Sequence, residues 1–275
     1  MIDVNFHKRM LNVHLLHFGI DLRKFRESCG GFAKYRQRLR NFKIDKVAFE
    51  NSDYFEDGEF SRGAIYPLLN DSGSDAGDTF SHYFIQDLFV AARIWNAKPI
   101  RHLDVGSRID GFVAHVASFR DIEVIDVRPL EINFVDTIKF TQQNIMESSG
   151  ENFGMFDSIS CLHALEHFGL GRYGDPVDNE GWRKGILGLF NLLEAGGALY
   201  LSVPAGFDQR VEFNAHRVFS LPFLSHELSQ QFEIVNLSFI TDEGHFIQTV
   251  DMKSEDFNTS YNSVYGCGIW ELKKN

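Results

Sequence analysis

The spacing of apolar residues changes along the chain, and each change predicts a different element. Between Thr79 and Pro99, apolar side chains recur every three or four positions, which predicts a helix. From residue 102 onward, short apolar runs bounded by turn residues predict strands instead. The predicted strands are HLDV (102–105), IEVIDV (122–127), a weaker one near Ile138–Thr141, FDSISCL (156–162), ALYLSVP (198–204), EIVNLSFI (233–240) and SVYGCGIWEL (263–272).

Helical segments separate these strands. They run from Ile109 to Ser118, from about Glu180 to Leu193, and from about Leu221 to Phe232. Gly196–Gly197 is interpreted as a C-cap pair that ends the second of them. Because strands that alternate with helices are typical of a parallel sheet with helices on both faces, we predict an α/β domain.

The first 78 residues have a different character. Residues 1–50 predict two or three short helices, broken at Gly19, Gly30 and Gly31. Residues 51–78 are rich in Gly, Ser and Asp around Pro67, which is typical of loops. We therefore expect a helical and loop-rich extension over residues 1–78 and the α/β domain over residues 79–275.

Composition places the chain among ordinary globular proteins, with 44% hydrophobic and 24% charged residues in 275. No apolar run reaches the roughly 18–20 residues that span a bilayer, and the N-terminus lacks a signal-peptide pattern. The three cysteines, Cys29, Cys161 and Cys267, form neither a disulfide framework nor a CxxC metal site. These features favour a cytoplasmic protein without a membrane span.

The net charge of −11 argues against a nucleic-acid partner, because such partners are bound by clustered Lys and Arg. The one basic-rich stretch, Lys34–Arg40, has a basic residue at every second position, which spreads the positive charges around a helix rather than along one stripe. A solvated surface or an interface between subunits is the favoured interpretation, and a homodimer is compatible with it.

Candidate chemistry begins where the first strand of the α/β domain meets a glycine turn, LDVGSRIDG (103–111). Gly106 lets the backbone approach a ligand closely, and Asp126 follows 20 residues later at the tip of the next strand. A carboxylate there can accept both ribose hydroxyls of an adenosine. A dinucleotide site needs G-x-G-x-x-G, but Arg108 stands at its middle glycine, which disfavours NAD or FAD.

These motifs resemble the class I S-adenosylmethionine-dependent methyltransferases over roughly residues 80–272. LDVGSRIDG is similar to their glycine motif, FDSISCLHALEH to their fourth-strand motif, and LLEAGGALYLSVP to the segment that follows; the last two strands resemble their antiparallel pair. Arg108 and Asp110 depart from the family's glycines. The resemblance implies a mostly parallel Rossmann-like sheet with an antiparallel last strand and S-adenosyl-L-methionine as cofactor. The cofactor-binding residues that it implies are Asp104, Gly106, Ser107, Arg108, Gly111, Asp126, Val127, Asn144, Ile145, Cys161 and Leu162.

A narrower resemblance joins HYFIQDLFVA, RHLDVGSRIDGF, IDVRPL, HALEHFGLGRYGDPVD and FNAHRVFS. Together they are similar to a bacterial methyltransferase-like family of unknown function found in surface-polysaccharide gene clusters. This resemblance implies an acceptor linked to a sugar.

Three residues after the fourth strand are the catalytic candidates: His163, Glu166 and His167. A helical turn would put both histidines on one face, and histidine is suited to removing a proton near neutral pH. We favour His167 as the base that deprotonates the acceptor, with His163 or Glu166 lining the site. One alternative is that a histidine only forms a hydrogen bond to the backbone. Another is that these side chains bind a divalent cation that orients a diol, although their spacing is not the HExxH of zinc proteases.

Substrate-binding candidates follow in two loops. Arg172, Tyr173 and Asp175 lie in a glycine-rich loop and are suited to a polyol or a phosphate, unless Asp175 and Pro176 only stabilise a tight turn. His216 and Arg217 follow the fifth strand, and Arg217 is suited to a carboxylate or phosphate. Tyr83, on the helix before the first strand, is interpreted as a core residue rather than a ligand contact.

The sequence thus predicts an O-methyltransferase that acts on a sugar, a nucleotide-sugar or a growing glycan. The first alternative is a non-catalytic, methyltransferase-like binding protein of a glycan assembly complex, suggested by Arg108 and Asp110. The second is a nicotinamide-dependent sugar oxidoreductase, which would need a Tyr-x-x-x-Lys pair that is not found.

Overall fold

A computed structural model describes residues 32–52, 64–69, 76–77, 79–131, 136–147 and 155–275. The chain divides into two compact units, Met1–Gly77 and Asp78–Asn275. In the first unit, helix α1 spans Phe32–Glu50 and carries the basic-rich stretch. The breaks predicted at Gly19, Gly30 and Gly31 lie outside the described residues.

The second unit contains the remaining elements of the described part of the chain. Its helices are α2 (His82–Ala97), α3 (Ala114–Ala117, after a π-helical turn Ile109–Val113), α4 (Gly181–Leu192), α5 (Leu221–Ser229) and α6 (Glu255–Asn258). Its strands are β1 (His102–Val105), β2 (Ile122–Asp126), β3 (Ile138–Gln142), β4 (Phe156–Leu162), β5 (Leu193–Ala205), β6 (Arg210–Glu212), β7 (His216–Val218), β8 (Phe232–Ile240), β9 (Phe246–Ile247) and β10 (Gly266–Lys274).

Eight of these strands form one sheet in the order β3-β2-β1-β4-β5-β10-β8-β9. Strands β1 to β5 are parallel, whereas β10 is antiparallel to both β5 and β8. The strand order reverses at β1, which has β2 on one side and β4 on the other. Ligands bind at such a switch point, beyond the carboxyl ends of the strands. The predicted mostly parallel sheet with an antiparallel last strand is confirmed.

Helices cover both faces of the sheet. Leu199 and Leu201 of β5 lie in one buried cluster with residues of α4 and α5, whereas Tyr200 between them lies in a second cluster with residues of α2. This division follows from the strand geometry, because successive side chains point to opposite faces. Apolar layers therefore cover both faces of the sheet, whereas the carboxyl ends of its parallel strands remain accessible to a ligand.

The glycine pair does not end a helix, so that prediction was wrong. Helix α4 ends at Leu192 and β5 begins at the next residue, with Gly196 inside it at a φ of 76°. The pairing of β5 with β4 shifts register between Phe156 and Ser158, opposite this segment. The glycines therefore belong to an irregular start of the strand. The hairpin of β6 and β7 was not predicted, because each strand has only three residues.

Candidate functional site

A cleft of about 710 Å³ opens at the carboxyl ends of β1, β2 and β4. It brings together most of the residues that the sequence singled out. Those that line it are Gly106, Arg108, Asp126, Val127, Asn144, Ile145, His163, Glu166, His167, Arg172, Tyr173, Asp175 and His216. The others, Asp104, Ser107, Gly111, Cys161, Leu162 and Arg217, lie outside the lining.

Gly106 forms the floor of the cleft where β1 ends. Its φ is 74°, in the left-handed region, and a Cβ atom there would lie 2.9 Å from the Cβ of Ala164. Its backbone N–H donates to the carbonyl of Ile125, 2.9 Å away, so the turn lies directly beside the end of β2. Only glycine combines this conformation with this close approach.

Asp104 supports the turn from behind. Its carboxylate is fully buried and accepts hydrogen bonds from the Ser107 hydroxyl (2.6 Å), the Ser107 backbone N–H (3.0 Å) and the Ser160 hydroxyl (2.6 Å). Burial raises the pKa of Asp104 to about 6. Because these side chains satisfy one another, the structure assigns Asp104 and Ser107 to shaping the turn rather than to the cleft surface.

Other predicted cofactor contacts are also enclosed. Cys161 and Leu162 are buried in β4, where they belong to the two apolar clusters. A Cβ on Gly111 would meet the Asp87 carboxylate at 2.9 Å, so this glycine serves the packing of α2 against the turn.

Asn144 lines the cleft and donates to Glu147 (2.9 Å), and its side-chain oxygen accepts from the Met146 N–H (3.1 Å).

Asp126 ends β2 and faces the cleft next to Gly106. The Arg128 guanidinium lies on its carboxylate and also stacks 4.5 Å from the centre of the Tyr173 ring. Arg128 and Tyr173 thus connect the tip of β2 to the glycine-rich loop. The sequence reasoning did not single out Arg128, although a basic residue two positions after the acid was a signal.

His163, Glu166 and His167 meet at one carboxylate. Oε1 of Glu166 lies 3.1 Å from Nδ1 of His163 and 3.7 Å from Nε2 of His167. No helical turn joins the histidines as predicted, because His163 has a φ of 48° and precedes the 3₁₀ turn Leu165–His167. The backbone N–H of His163 donates to the carbonyl and hydroxyl oxygens of Ser202. Glu166 therefore brings the rings together.

An oxygen of this cluster remains unpaired within the described part of the chain. Oε2 of Glu166 is buried and has no hydrogen-bond partner. Glu166 is only 1% exposed, yet it lines the cleft. A buried polar atom without a partner is costly, so a ligand that bonds it gains affinity.

The two histidines differ in their titration. Burial lowers the pKa of His167, and Arg172 and His216 lower it further, while Glu166 opposes them. Nδ1 of His167 lies 2.6 Å from the Ala215 carbonyl, so it carries the proton and leaves a lone pair on Nε2. Burial also lowers the pKa of His163, but Cys267 and Glu166 together raise it well above its ordinary value.

The predicted substrate-binding residues divide into two groups. Arg172 and Tyr173 stand at the rim of the cleft: Nη1 of Arg172 donates to the Ala215 carbonyl (3.0 Å), and the Tyr173 ring lies edge-on to His167 (5.3 Å). Asp175 instead accepts from the backbone N–H groups of Gly169, Gly171 and Tyr173. Both carboxylate oxygens of Asp175 are thus used to stabilise the turn, which is the alternative role that the sequence left open.

Arg217 was predicted to contact the substrate, but it lies outside the lining of the cleft. It is 6% exposed and donates from Nη1 to the carbonyls of Phe168 (2.6 Å) and Glu166 (3.3 Å). The guanidinium therefore fixes the backbone of the turn that carries Glu166 and His167, and it does not line the cleft. His216, its neighbour, lines the cleft 5.0 Å from the Tyr265 ring.

Tyr83 and Tyr265 also line the cleft. Tyr83 was interpreted as core, but it is 42% exposed and its ring lies 5.0 Å from that of His163. Tyr265 was missed, because it fell inside a predicted strand that begins later, at Gly266. The Asp242 carboxylate accepts from the Tyr265 N–H (2.9 Å) and fixes this tyrosine at the cleft.

The described ranges contain no group of three or more His, Cys, Asp or Glu side chains arranged to hold a metal ion. Among the helices of those ranges, none has both the length and the apolar character to cross a membrane.

A family model described as "Caenorhabditis protein of unknown function, DUF268" matches residues 114–265. No curated protein matches the chain in sequence.

Solved structures are similar to the chain in fold. The cyclase SpnF has 15% sequence identity and a TM-score of 0.51, with 69% of this chain and 80% of that chain covered. The N-methyltransferase NodS from Bradyrhizobium japonicum, bound to S-adenosyl-L-homocysteine, has 15% identity and a TM-score of 0.47 over 74% of this chain and 93% of that chain. The 1,6-didemethyltoxoflavin-N1-methyltransferase from Burkholderia thailandensis has 16% identity and a TM-score of 0.48, with 89% of this chain and 91% of that chain covered. At 15% identity the likeness to SpnF shows the fold alone, and together with the strand order it confirms the predicted Rossmann-like sheet.

Proposed function

The chain belongs to the DUF268 family, and we propose that it is an S-adenosylmethionine-dependent methyltransferase whose site lies in residues 79–275. One observation carries the proposal: Gly106 and Asp126 lie side by side on one cleft, at the switch point of the sheet. Adenosine needs a close backbone approach and a carboxylate for its ribose, and the two residues supply them.

The residues of the cleft fit this cofactor. Asp126 would accept the ribose hydroxyls, with Val127, Asn144 and Ile145 beside the adenine. Gly106 would allow the cofactor to approach the backbone, since no Cβ fills that space. Bound S-adenosylmethionine would supply an electrophilic methyl group on its sulfonium.

We propose His167 as the general base. Its Nε2 carries a lone pair, because Nδ1–H is held by the Ala215 carbonyl. Nε2 would take the proton of the acceptor hydroxyl, which leaves the oxygen free to accept the methyl group. The Glu166 carboxylate, 3.7 Å from Nε2, would stabilise the imidazolium that results, and His163 would hold Glu166 in place.

The acceptor that we propose is a hydroxyl of a sugar or nucleotide-sugar in surface-glycan synthesis, in the cytoplasm. Support comes from the narrower resemblance of the HALEHFGLGRYGDPVD and FNAHRVFS segments. The cleft adds tyrosine and histidine rings, which can stack on a sugar ring and bond its hydroxyls.

A second candidate is a binding protein without turnover. The ion pair between Arg108 and Asp110, 2.9 Å long, occupies the turn where the methyltransferases carry glycines. If it obstructs the methionine end, the cleft would bind a nucleoside without positioning its methyl group.

Calorimetric titration with S-adenosyl-L-homocysteine tests the proposal. We expect micromolar affinity, a strong loss in Asp126→Ala, and no binding of NAD⁺. The matched control is Asp121→Ala, which removes an exposed carboxylate outside the cleft lining and should keep the affinity. No heat with either S-adenosyl-L-homocysteine or S-adenosylmethionine would refute the proposal, and binding without turnover across a sugar panel would favour the second candidate.

A further inference from the structure

Among the described residues that line the cleft, one arginine is not paired with a carboxylate. Arg108 pairs with Asp110 and Arg128 with Asp126, both in bidentate geometry. Arg172 pairs with no carboxylate of the described residues; its guanidinium bonds the Ala215 carbonyl (3.0 Å) and lies 5.1 Å from the centre of the Tyr173 ring. A carbonyl and a ring hold this cation in place without cancelling its charge.

Arg172 is close to the proposed base. The Ala215 carbonyl accepts from both Nη1 of Arg172 and Nδ1 of His167. Burial lowers the pKa of His167; the Glu166 carboxylate raises it, and the Arg172 guanidinium lowers it by a smaller amount. Arg172 therefore places a cationic guanidinium beside the position where the acceptor would lose its proton.

The buried carboxylate of Glu166 requires a hydrogen-bond donor, whereas Arg172 requires an anion. Oε2 of Glu166 is buried and lacks a donor among the described residues, so it is suited to an acceptor hydroxyl and unsuited to an anion. A ligand that satisfies both ends presents a hydroxyl inward, to Glu166 and His167, and an anionic group outward, to Arg172. The planar guanidinium matches phosphate and carboxylate oxygens.

We propose that the acceptor is an anionic hydroxyl compound, a phosphate ester or a carboxylate, whose anion pairs with Arg172. This inference rests on the proposed function and narrows it, because it excludes a neutral glycan end as the acceptor.

The test uses the full-length protein and NMR titration of His167, with inorganic phosphate, acetate or chloride at matched ionic strength. An anion bound at Arg172 offsets its charge, so phosphate or acetate should raise the pKa of His167 by about 0.5 unit or more relative to chloride. The anion that acts at the lower concentration identifies the group, phosphate ester or carboxylate.

Arg172→Gln should abolish the response. Arg183→Gln, which removes an arginine that pairs with Glu180 and Glu227 outside the cleft lining, should keep it. No response in the wild-type protein, or equal responses in wild type and Arg172→Gln, would overturn the inference. A parallel titration with S-adenosyl-L-homocysteine separates the two claims: intact cofactor binding without an anion response overturns only the anionic acceptor, whereas absent cofactor binding overturns the proposed function.

Discussion

The guanidinium of Arg128 lies on the carboxylate of Asp126, with 2.9 Å between Nε and Oδ1 and 2.5 Å between Nη2 and Oδ2. The backbone N–H of Arg128 also donates to Oδ1, at 2.8 Å. An oxygen of a carboxylate accepts about two hydrogen bonds, so Oδ1 is fully used. A ribose that bonds both oxygens must therefore displace the guanidinium.

Arg128→Ala should tighten the binding of S-adenosyl-L-homocysteine. The side chain of Arg128 is about half exposed, and the loss of such an ion pair costs up to about 1 kcal/mol, which corresponds to roughly fivefold in the dissociation constant. Calorimetry checks this value. Arg172→Ala is the control, since it removes the other guanidinium beside Tyr173 but no bond to Asp126. Weaker binding in Arg128→Ala would mean that Arg128 contacts the cofactor itself.

Gly106→Ala should destabilise the fold more than Gly174→Ala. Both glycines have positive φ, 74° and 89°, so each variant places alanine in the left-handed region at about 1 kcal/mol or more. Only at Gly106 does the new Cβ meet another atom, the Cβ of Ala164, whereas nothing lies within 4 Å at Gly174. Urea unfolding should show an additional loss of about 1–3 kcal/mol for Gly106→Ala. Equal losses would contradict the close approach of β1 and β4 at this turn.

His102 should make the fold sensitive to acid. Burial lowers its pKa to about 3, below the ordinary 6.5, and its ring bonds the hydroxyls of Ser158 and Ser160. Since the folded state holds His102 neutral, unfolding takes up a proton below pH 6.5. Its contribution is complete above that pH and falls by a few kcal/mol, roughly 1.4 per unit, as the pH drops towards 3.

Asp104 acts in the opposite direction over part of this range. Its pKa of about 6 lies above the ordinary 3.8, so its contribution is complete below pH 3.8 and is lost as the pH rises through 6. His102→Gln isolates the histidine: its free energy of unfolding should rise by about 2 kcal/mol relative to that of the wild type on going from pH 7.5 to pH 5, because the variant lacks the group that takes up a proton on unfolding. His226→Gln, which alters an exposed histidine on α5, should keep the wild-type difference. An unchanged difference in His102→Gln would show that His102 takes up no proton on unfolding.

The sequence predicted the features that depend on local pattern. Runs of apolar residues located every strand of the parallel part, and the topology of such a sheet then required Gly106 and Asp126 to be neighbours. Side-chain partners were not predictable in this way, because they join distant positions. Arg217 bonds carbonyls 49 and 51 residues away, at Phe168 and Glu166, and no spacing in the sequence indicates this.

Backbone detail also limited the prediction of the catalytic group. The spacing of His163 and His167 fits a helix, but His163 adopts a left-handed conformation because the chain leaves β4 there, held by Ser202. The two rings still meet, through Glu166. The residue types were therefore informative, whereas the geometry inferred from their spacing was wrong.

The central claim is that the turn at Gly106 and the carboxylate of Asp126 bind one adenosine. A crystal structure of the complex with S-adenosyl-L-homocysteine measures this directly. We expect both ribose hydroxyls within about 3 Å of the Asp126 oxygens, the guanidinium of Arg128 moved from that carboxylate, and the adenine beside Asn144 and Ile145. A nucleoside bound away from Asp126, or density for a pyrophosphate against the glycine turn, would contradict the account.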